Sequence, residues 1–572
     1  MPLLPLNSTL GQQRAAHLLR RAAFGGTKAD IDNFSAMTPA QAVSQLFLNS
    51  PFPAPPVDPA LGTTWIGTAP GEGEDDNSRT EYVVRWFLGR LMGTDDLPLN
   101  DIVREKVVLF LHTYFTTMKS KVSNSRALYY QNELFRRFAY DEVDAAEGPR
   151  DFRTLVKKVS LDNAMLQFLD GKLNVKGSPN ENYAREMLEL YTIGRGLEGN
   201  VPETGMEGDY YNYTEQDVRA AANILTGYDF DKNFSVIDPE TGLPTARIKG
   251  GASPSQHETD ASLKQFSERF NHQVITADPA LLINDEPTPE SMADELDQLV
   301  SLIFSKEETA RHICRKIYRF YVHYEITPEL DDDIIADMAS RFISGGYRLQ
   351  PVLEALFTST HFYEAIGGVD DDKFGAIIKS PLDLVVSTFR FFEIETPSYQ
   401  SDPATFYEAA GELLDIMEKQ GMKLYEPSEV AGYPAYHQFP RYNRNWISTN
   451  YLVTRYNFIR ELLEMNDMFY FNSRAFISQR FAGEWTDARQ LILALCPCIF
   501  PMTSNLSFTN ANSHITPERL NYFLYAFLTA NQYTEAEWTA LTADPATNYL
   551  EIESLLHSLL NSILQTPEYQ LF

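Results

Sequence analysis

The segment Glu181 to Gly194, ENYAREMLELYTIG, holds the densest set of side chains able to do chemistry. Wound at ~100° per residue, it puts Tyr183, Ala184, Met187, Leu188, Leu190 and Tyr191 on one side. Glu181, Asn182, Arg185, Glu186, Glu189 and Thr192 fall on the other. Glu181–Arg185 and Arg185–Glu189 are both i,i+4 pairs, so a solvated face with two ion pairs worth ~0.3–0.5 kcal/mol each accounts for the pattern without any function. If the same face lines a cleft, it becomes a carboxylate-rich site. Glu186, crowded by like charges, would then keep its proton to higher pH or share a hard cation. In that reading Glu186 is a general base, Arg185 steadies an anionic centre, Glu181 and Glu189 orient Arg185, and Asn182 offers an amide to a ligand.

A second candidate is Ile102 to Lys119, IVREKVVLFLHTYFTTMK. It is apolar nearly all round, the mark of a buried helix, apart from one stripe of Glu105, His112, Thr116 and Lys119. Burying a Glu and a His without partners costs several kcal/mol, so the two should share partners. A core histidine that knits helices together satisfies this. So does a general base or metal ligand at His112 oriented by Glu105, although no second ligand stands four residues away. Asp162 heads Asn163 to Asp170, and a helix N-cap explains it fully; it is also kept as a ligand-binding candidate. Tyr425, Tyr433, Tyr436, Tyr442 and Trp446 crowd residues 421–446, which are rich in Gly, Pro, Tyr and Asn. Tyr433 and Trp446 would either stack on sugar rings or a partner, or pack to fix the segment.

The elements that must position these residues are helices. Thr27 with Asp30, Ser305 with Glu308, Thr214 with Asp217 and Thr534 with Glu537 have capping-box spacing. Thr38-Pro39, Thr288-Pro289, Thr327-Pro328 and Thr516-Pro517 put a capping hydroxyl before a proline at the first helical position. Three stretches break the pattern: a long loop over 51–78, a piece over 228–275, and the irregular segment 421–446. In the second, Phe234 to Ile237 and Ala246 to Lys249 flank Asp238-Pro-Glu-Thr-Gly-Leu-Pro, which suggests a small β-hairpin. The expected fold is mainly α: one large multi-helical unit with a small β-hairpin insertion and long ordered loops. Its regions are 1–227, 228–285 and 286–572, packed as one unit.

Composition narrows the function. Of 572 residues, 44% are hydrophobic and 22% charged, an ordinary globular balance. The formal charge of −30 argues against nucleic acid and against an anionic lipid surface, because both would be repelled. Three cysteines make no disulfide framework and no zinc pattern. No run approaches ~18 apolar residues, so no membrane span is expected. No basic region precedes an apolar stretch at the start, so no signal peptide is expected in this chain. The compartment stays open between cytoplasmic and, after removal of a leader, periplasmic or extracellular. No nucleophile elbow, dinucleotide fingerprint, phosphate loop or paired-histidine zinc motif is present, and the cofactor is unknown.

Several blocks resemble one family. His17-Leu-Leu-Arg-Arg-Ala-Ala-Phe-Gly25, Asn163-Ala-Met-Leu166, Asn180 to Gly194 and Tyr213-Thr-Glu-Gln-Asp-Val218 are similar to the opening and central signature of the bacterial domain-of-unknown-function family eighteen-hundred. Ile378-Lys-Ser-Pro381, Pro427 to Gly432 and Pro567 to Leu571 resemble its later blocks. The resemblance implies a mostly helical fold, frequent export and a sulfatase- or phosphatase-like partner protein, with no established activity. This chain departs from the pattern at Tyr114, Tyr228, Tyr433 and Gln273, and the first and last of these remove possible metal ligands. Two functions follow as expectations: an envelope-associated protein that binds a partner, a glycan or a small molecule, or a hydrolase built on the Glu/Arg/His cluster.

Overall fold

The computed structural model describes residues 3–67, 76–141, 150–363, 374–464, 469 and 471–572. The chain is mainly α-helical with one two-stranded antiparallel sheet. Residues 68–75 of the expected loop 51–78, including most of its Gly-Glu-Gly-Glu-Asp-Asp run, lie outside the described residues.

Local signals set most helix starts. Thr27, Thr38, Thr214, Thr288 and Thr534 each close a capping box, and Thr516 accepts from the Arg519 amide ahead of a proline. Each such cap supplies a partner to an otherwise orphaned amide. Ser305 does otherwise. Its hydroxyl donates to the Leu302 carbonyl at 2.7 Å and closes the preceding helix Pro289–Phe304, so the next helix, Glu307–Tyr321, starts without a side-chain cap. Thr327 caps only a single turn, which runs on through a wide π turn at Asp331–Ile335 into Ala336–Ser344.

The insertion also differs in detail. Its sheet pairs Tyr228–Asp229 with Arg247–Ile248. The expected first strand, Phe234 to Ile237, forms only a lone bridge at Ile237 to Pro244. Asp231 is the reason: its carboxylate gathers the amides of Asn233, Ser235 and Val236 at 3.1, 2.6 and 2.9 Å, curling the chain and taking donors that a strand would need.

One apolar core runs through the helices from Leu3 to Tyr569. A small second cluster of Leu166, Tyr228, Ala246 and Met292 fastens the insertion to its neighbours. The helix Leu99–Tyr114 is buried on every face from Asp101 onward and packs against Ser125–Ala139 and Glu307–Tyr321. The helix Glu181–Glu189 buries Tyr183, Ala184, Met187 and Leu188 and packs against Glu215–Ile224. The two signature helices meet at their C-terminal ends, where the Tyr114 hydroxyl donates to the Tyr191 carbonyl at 3.0 Å. No described helix is long and apolar enough to cross a membrane.

Candidate functional site

Glu105 pairs with Arg136 instead of sharing partners with His112. Arg136 grips both of its oxygens at 2.7 and 2.6 Å, with neither side chain exposed. Burial alone would raise the Glu105 carboxyl, but the charge and hydrogen bonds of Arg136 outweigh it and hold the group below its usual range. Arg136 also reaches Glu133 and, at 2.6 Å, the Asn132 side-chain oxygen Oδ1, while Asn132 Nδ2 donates to the Tyr425 hydroxyl at 2.8 Å. His112 lies against the Tyr425 ring at 4.1 Å between centroids. Neither of its ring nitrogens has a hydrogen-bond partner among the described residues, and burial lowers its pKa to about 4, so it is neutral. Further along the stripe, Thr116 donates to the Thr113 carbonyl and Lys119 pairs with Glu81 at 2.5 Å.

The signature helix distributes its charges in a similar way. Arg185 forks onto Glu215 of the next helix at 2.6 and 2.8 Å and touches Glu181 at 3.2 Å. The spacing-based Arg185–Glu189 pair is replaced by Glu189 with Arg195 at 2.6 Å and the Tyr213 hydroxyl at 2.9 Å. Asn182 is exposed. Glu186 is half-buried, and burial followed by the charge of Glu189 raises its pKa. No hydrogen bond joins Glu186, Arg185 and His112. Asp162 accepts from the Met165 amide at 2.8 Å and Gln131 at 2.9 Å, and burial lifts its carboxyl to about 7.

A cavity opens beside these helices. Its volume is about 40 Å³ behind a mouth open to solvent, and its walls come from Leu99–Tyr114, Glu307–Tyr321, Ile377 to Asp383, Ala431 to Trp446 and Phe572. Trp446, one of the two aromatic residues singled out in the irregular segment, lines it directly. Tyr433 stands behind, 6.1 Å from the Trp446 ring, with its hydroxyl donating to the Lys423 carbonyl at 2.7 Å. Phe110, Phe320, Tyr436 and Trp446 continue the wall, ring to ring at 5.3, 5.5 and 6.0 Å. The chain can approach this wall because Gly432, at φ +106, sits where any Cβ would meet the Thr116 hydroxyl at 2.8 Å.

Several polar groups face the cavity unmatched. The Lys316 ammonium donates to the Leu190 carbonyl at 2.9 Å and lies 4.6 Å from the Tyr114 ring centre, yet forms no ion pair among the described residues. Burial lowers its pKa to about 8, against the pull of Glu198. The Tyr442 hydroxyl and Asn443 Nδ2 are buried without hydrogen-bond partners among the described residues, while His437 Nε2 lies 3.5 Å from a Glu429 carboxylate oxygen. Two other cations there are matched: Lys106 to Asp383 at 2.5 Å, and Arg319 to both oxygens of Glu198 at 3.0 and 2.6 Å. Sequence reasoning missed Lys316. Its signal was position: it follows Ile313 by three and precedes Phe320 by four, and so shares their inward face.

Among the described residues no group of three or more His, Cys, Asp or Glu is placed to hold a metal ion. The arrangement offers charge-assisted and neutral donors beside a wall of aromatic rings packed edge-on and tilted. No curated protein and no solved structure matches the chain. The model of one family, described as protein of unknown function (DUF1800), matches residues 17–571. The blocks from His17 to Leu571 therefore carry more than a resemblance: the chain belongs to the DUF1800 family.

Proposed function

We propose that the protein is a binding protein whose cavity takes a small acidic molecule built on a ring, of the sugar-acid or sugar-phosphate class. The observation that carries this reading is a set of donors turned toward a space walled by Trp446 and Tyr436: Lys316 Nζ, which holds a backbone carbonyl but no ion pair among the described residues, and Tyr442 Oη and Asn443 Nδ2, which have no hydrogen-bond partner among them. Buried donors without partners are rare because each forfeits about 1–3 kcal/mol, and a ligand or its displaced water restores them. Rings stack on sugar faces, while an unpaired ammonium selects an acid. The sulfatase- or phosphatase-like partner and the exported or envelope setting belong to the same proposal and rest on family resemblance. The hydrolase reading on Glu186, Arg185 and His112 draws no support from their geometry, since each is engaged or isolated apart from the others.

Calorimetric titration tests the proposal with glucuronate, glucose and inorganic phosphate as probes. Glucuronate should bind at least about tenfold more tightly than glucose, and Lys316→Met should erase most of that preference, a change of about 1.4 kcal/mol. Equal binding of glucuronate and glucose, or a Lys316→Met protein that still prefers the acid, would overturn it.

A further inference from the structure

The segment Ile378-Lys-Ser-Pro381 faces two spaces. Ile378 and Ser380 line the cavity described above, whereas Lys379 lines a separate cleft of about 30 Å³ behind an open mouth. This cleft lies between the helix Gly11–Ala22, the end of Ala488–Ile499 and Tyr569. No Asp or Glu lines it, in a chain of net charge −30. Lys379 is 3% exposed, and its ammonium has neither an ion pair nor a hydrogen bond among the described residues. Among the described residues its ammonium meets the Tyr569 ring, 3.9 Å to the centre. Arg20 enters the same cleft: one terminal nitrogen donates to the Cys498 carbonyl at 2.7 Å, and the other has no partner. Arg455 holds the Lys379 carbonyl at 2.8 Å.

A lysine with no acid in ion-pair contact, buried next to guanidinium groups, sheds its proton and becomes a nucleophile. Burial first, then the charges of Arg20 and Arg455, push Lys379 well below the ordinary lysine range, against the opposing pull of the Asp383 carboxylate, which is paired with Lys106. An unpaired guanidinium nitrogen beside it suits a carboxylate. The two features together specify a carbonyl group next to an acid.

We propose that this cleft is a second, reactive site, in which Lys379 forms a Schiff base with a small 2-oxo acid whose carboxylate is held by Arg20. The amine attacks the ketone carbon and a C–N bond forms. The two amine protons pass to the former carbonyl oxygen, the C–O bond breaks, and water leaves, giving a C=N linkage with no change in oxidation state. The site is independent of the cavity and uses a different probe.

Reductive trapping tests it. The full chain is incubated with pyruvate and sodium cyanoborohydride, whose hydride reduces the linkage to a stable secondary amine, and the adduct is located by peptide mass mapping. Lys379 should be labelled at least about tenfold faster than exposed lysines, and its labelling should reach half its maximum at a pH well below theirs. Lys379→Met should lose this adduct and keep the others. Acetone, which lacks the carboxylate, should label Lys379 more slowly than pyruvate. If Lys379→Met fails to fold, as read by circular dichroism, the pH profile and the acetone comparison on the unaltered chain still decide. An unlabelled Lys379, labelling spread evenly over the lysines, or equal rates with acetone and pyruvate would overturn the proposal.

Discussion

At the scale of single residues, burial is the main influence on the chemistry. His112 is the clearest instance: enclosed, unpartnered and stacked on Tyr425, it holds no proton until about pH 4. Its unfolded counterpart titrates near 6.5, so between about 6.5 and 4 the unfolded chain binds more protons and stability falls as pH drops. Replacing His112 with Phe should therefore flatten the acid decline of melting temperature below pH 6.5 while changing it little at pH 8; an unchanged acid slope would contradict this. Glu105 works the opposite way. With its partner Arg136 fully enclosed, Glu105→Gln takes away the two-oxygen grip and leaves that buried charge with Glu133 alone, and should cost about 3 kcal/mol in urea unfolding; a loss below 1 kcal/mol would refute the role assigned to the pair. Lys316 links burial to binding. Its ammonium is charged below about pH 8 and loses its proton above, so affinity for an acidic ligand should fall as pH rises through that value.

At the scale of elements, much was readable because caps are local. Thr27, Thr38, Thr214, Thr288, Thr516 and Thr534 each bond within three residues, and their spacing placed helix starts correctly. Ser305 failed for an equally local reason, its hydroxyl being taken by the helix before it. What spacing cannot carry is the choice between rival partners. Arg185 had neighbours at both i−4 and i+4; it kept Glu181 at 3.2 Å, took Glu215, thirty residues on, as its two-pronged partner, and left Glu189 to Arg195. The Glu186–Arg185–His112 cluster failed to form for the same reason, since each residue's environment is set by elements distant in sequence. Close packing at an element's end is also testable. Gly194, at φ +64, follows the signature helix, and any Cβ there would collide with the His312 ring. Gly194→Ala should combine αL strain with that clash and lower stability by about 2 kcal/mol or more, with His312→Ala relieving part of the loss; a neutral Gly194→Ala would contradict the packing described.

At the scale of the whole molecule, the ligand cavity is a product of topology. Lys106, Lys316, Asp383, Trp446 and Phe572 reach it from five places along the chain, and no window of sequence contains two of them. That is why the aromatic segment 421–446 could be flagged by composition, while the cationic half of the cavity went unseen. The helical class was legible from periodicity and caps, and the family from its signature blocks. A shared core from Leu3 to Tyr569 further predicts that the regions expected at 1–227, 228–285 and 286–572 melt together. Scanning calorimetry should then show one transition, and two separable ones would argue for independent units.

The most direct measurement is a crystal structure of the chain soaked with glucuronate. The acid should sit with its carboxylate within hydrogen-bond reach of Lys316 Nζ, one hydroxyl on Asn443 or Tyr442, and its ring against Trp446. Glucuronate bound elsewhere, or a cavity holding only solvent at saturating ligand, would contradict the account.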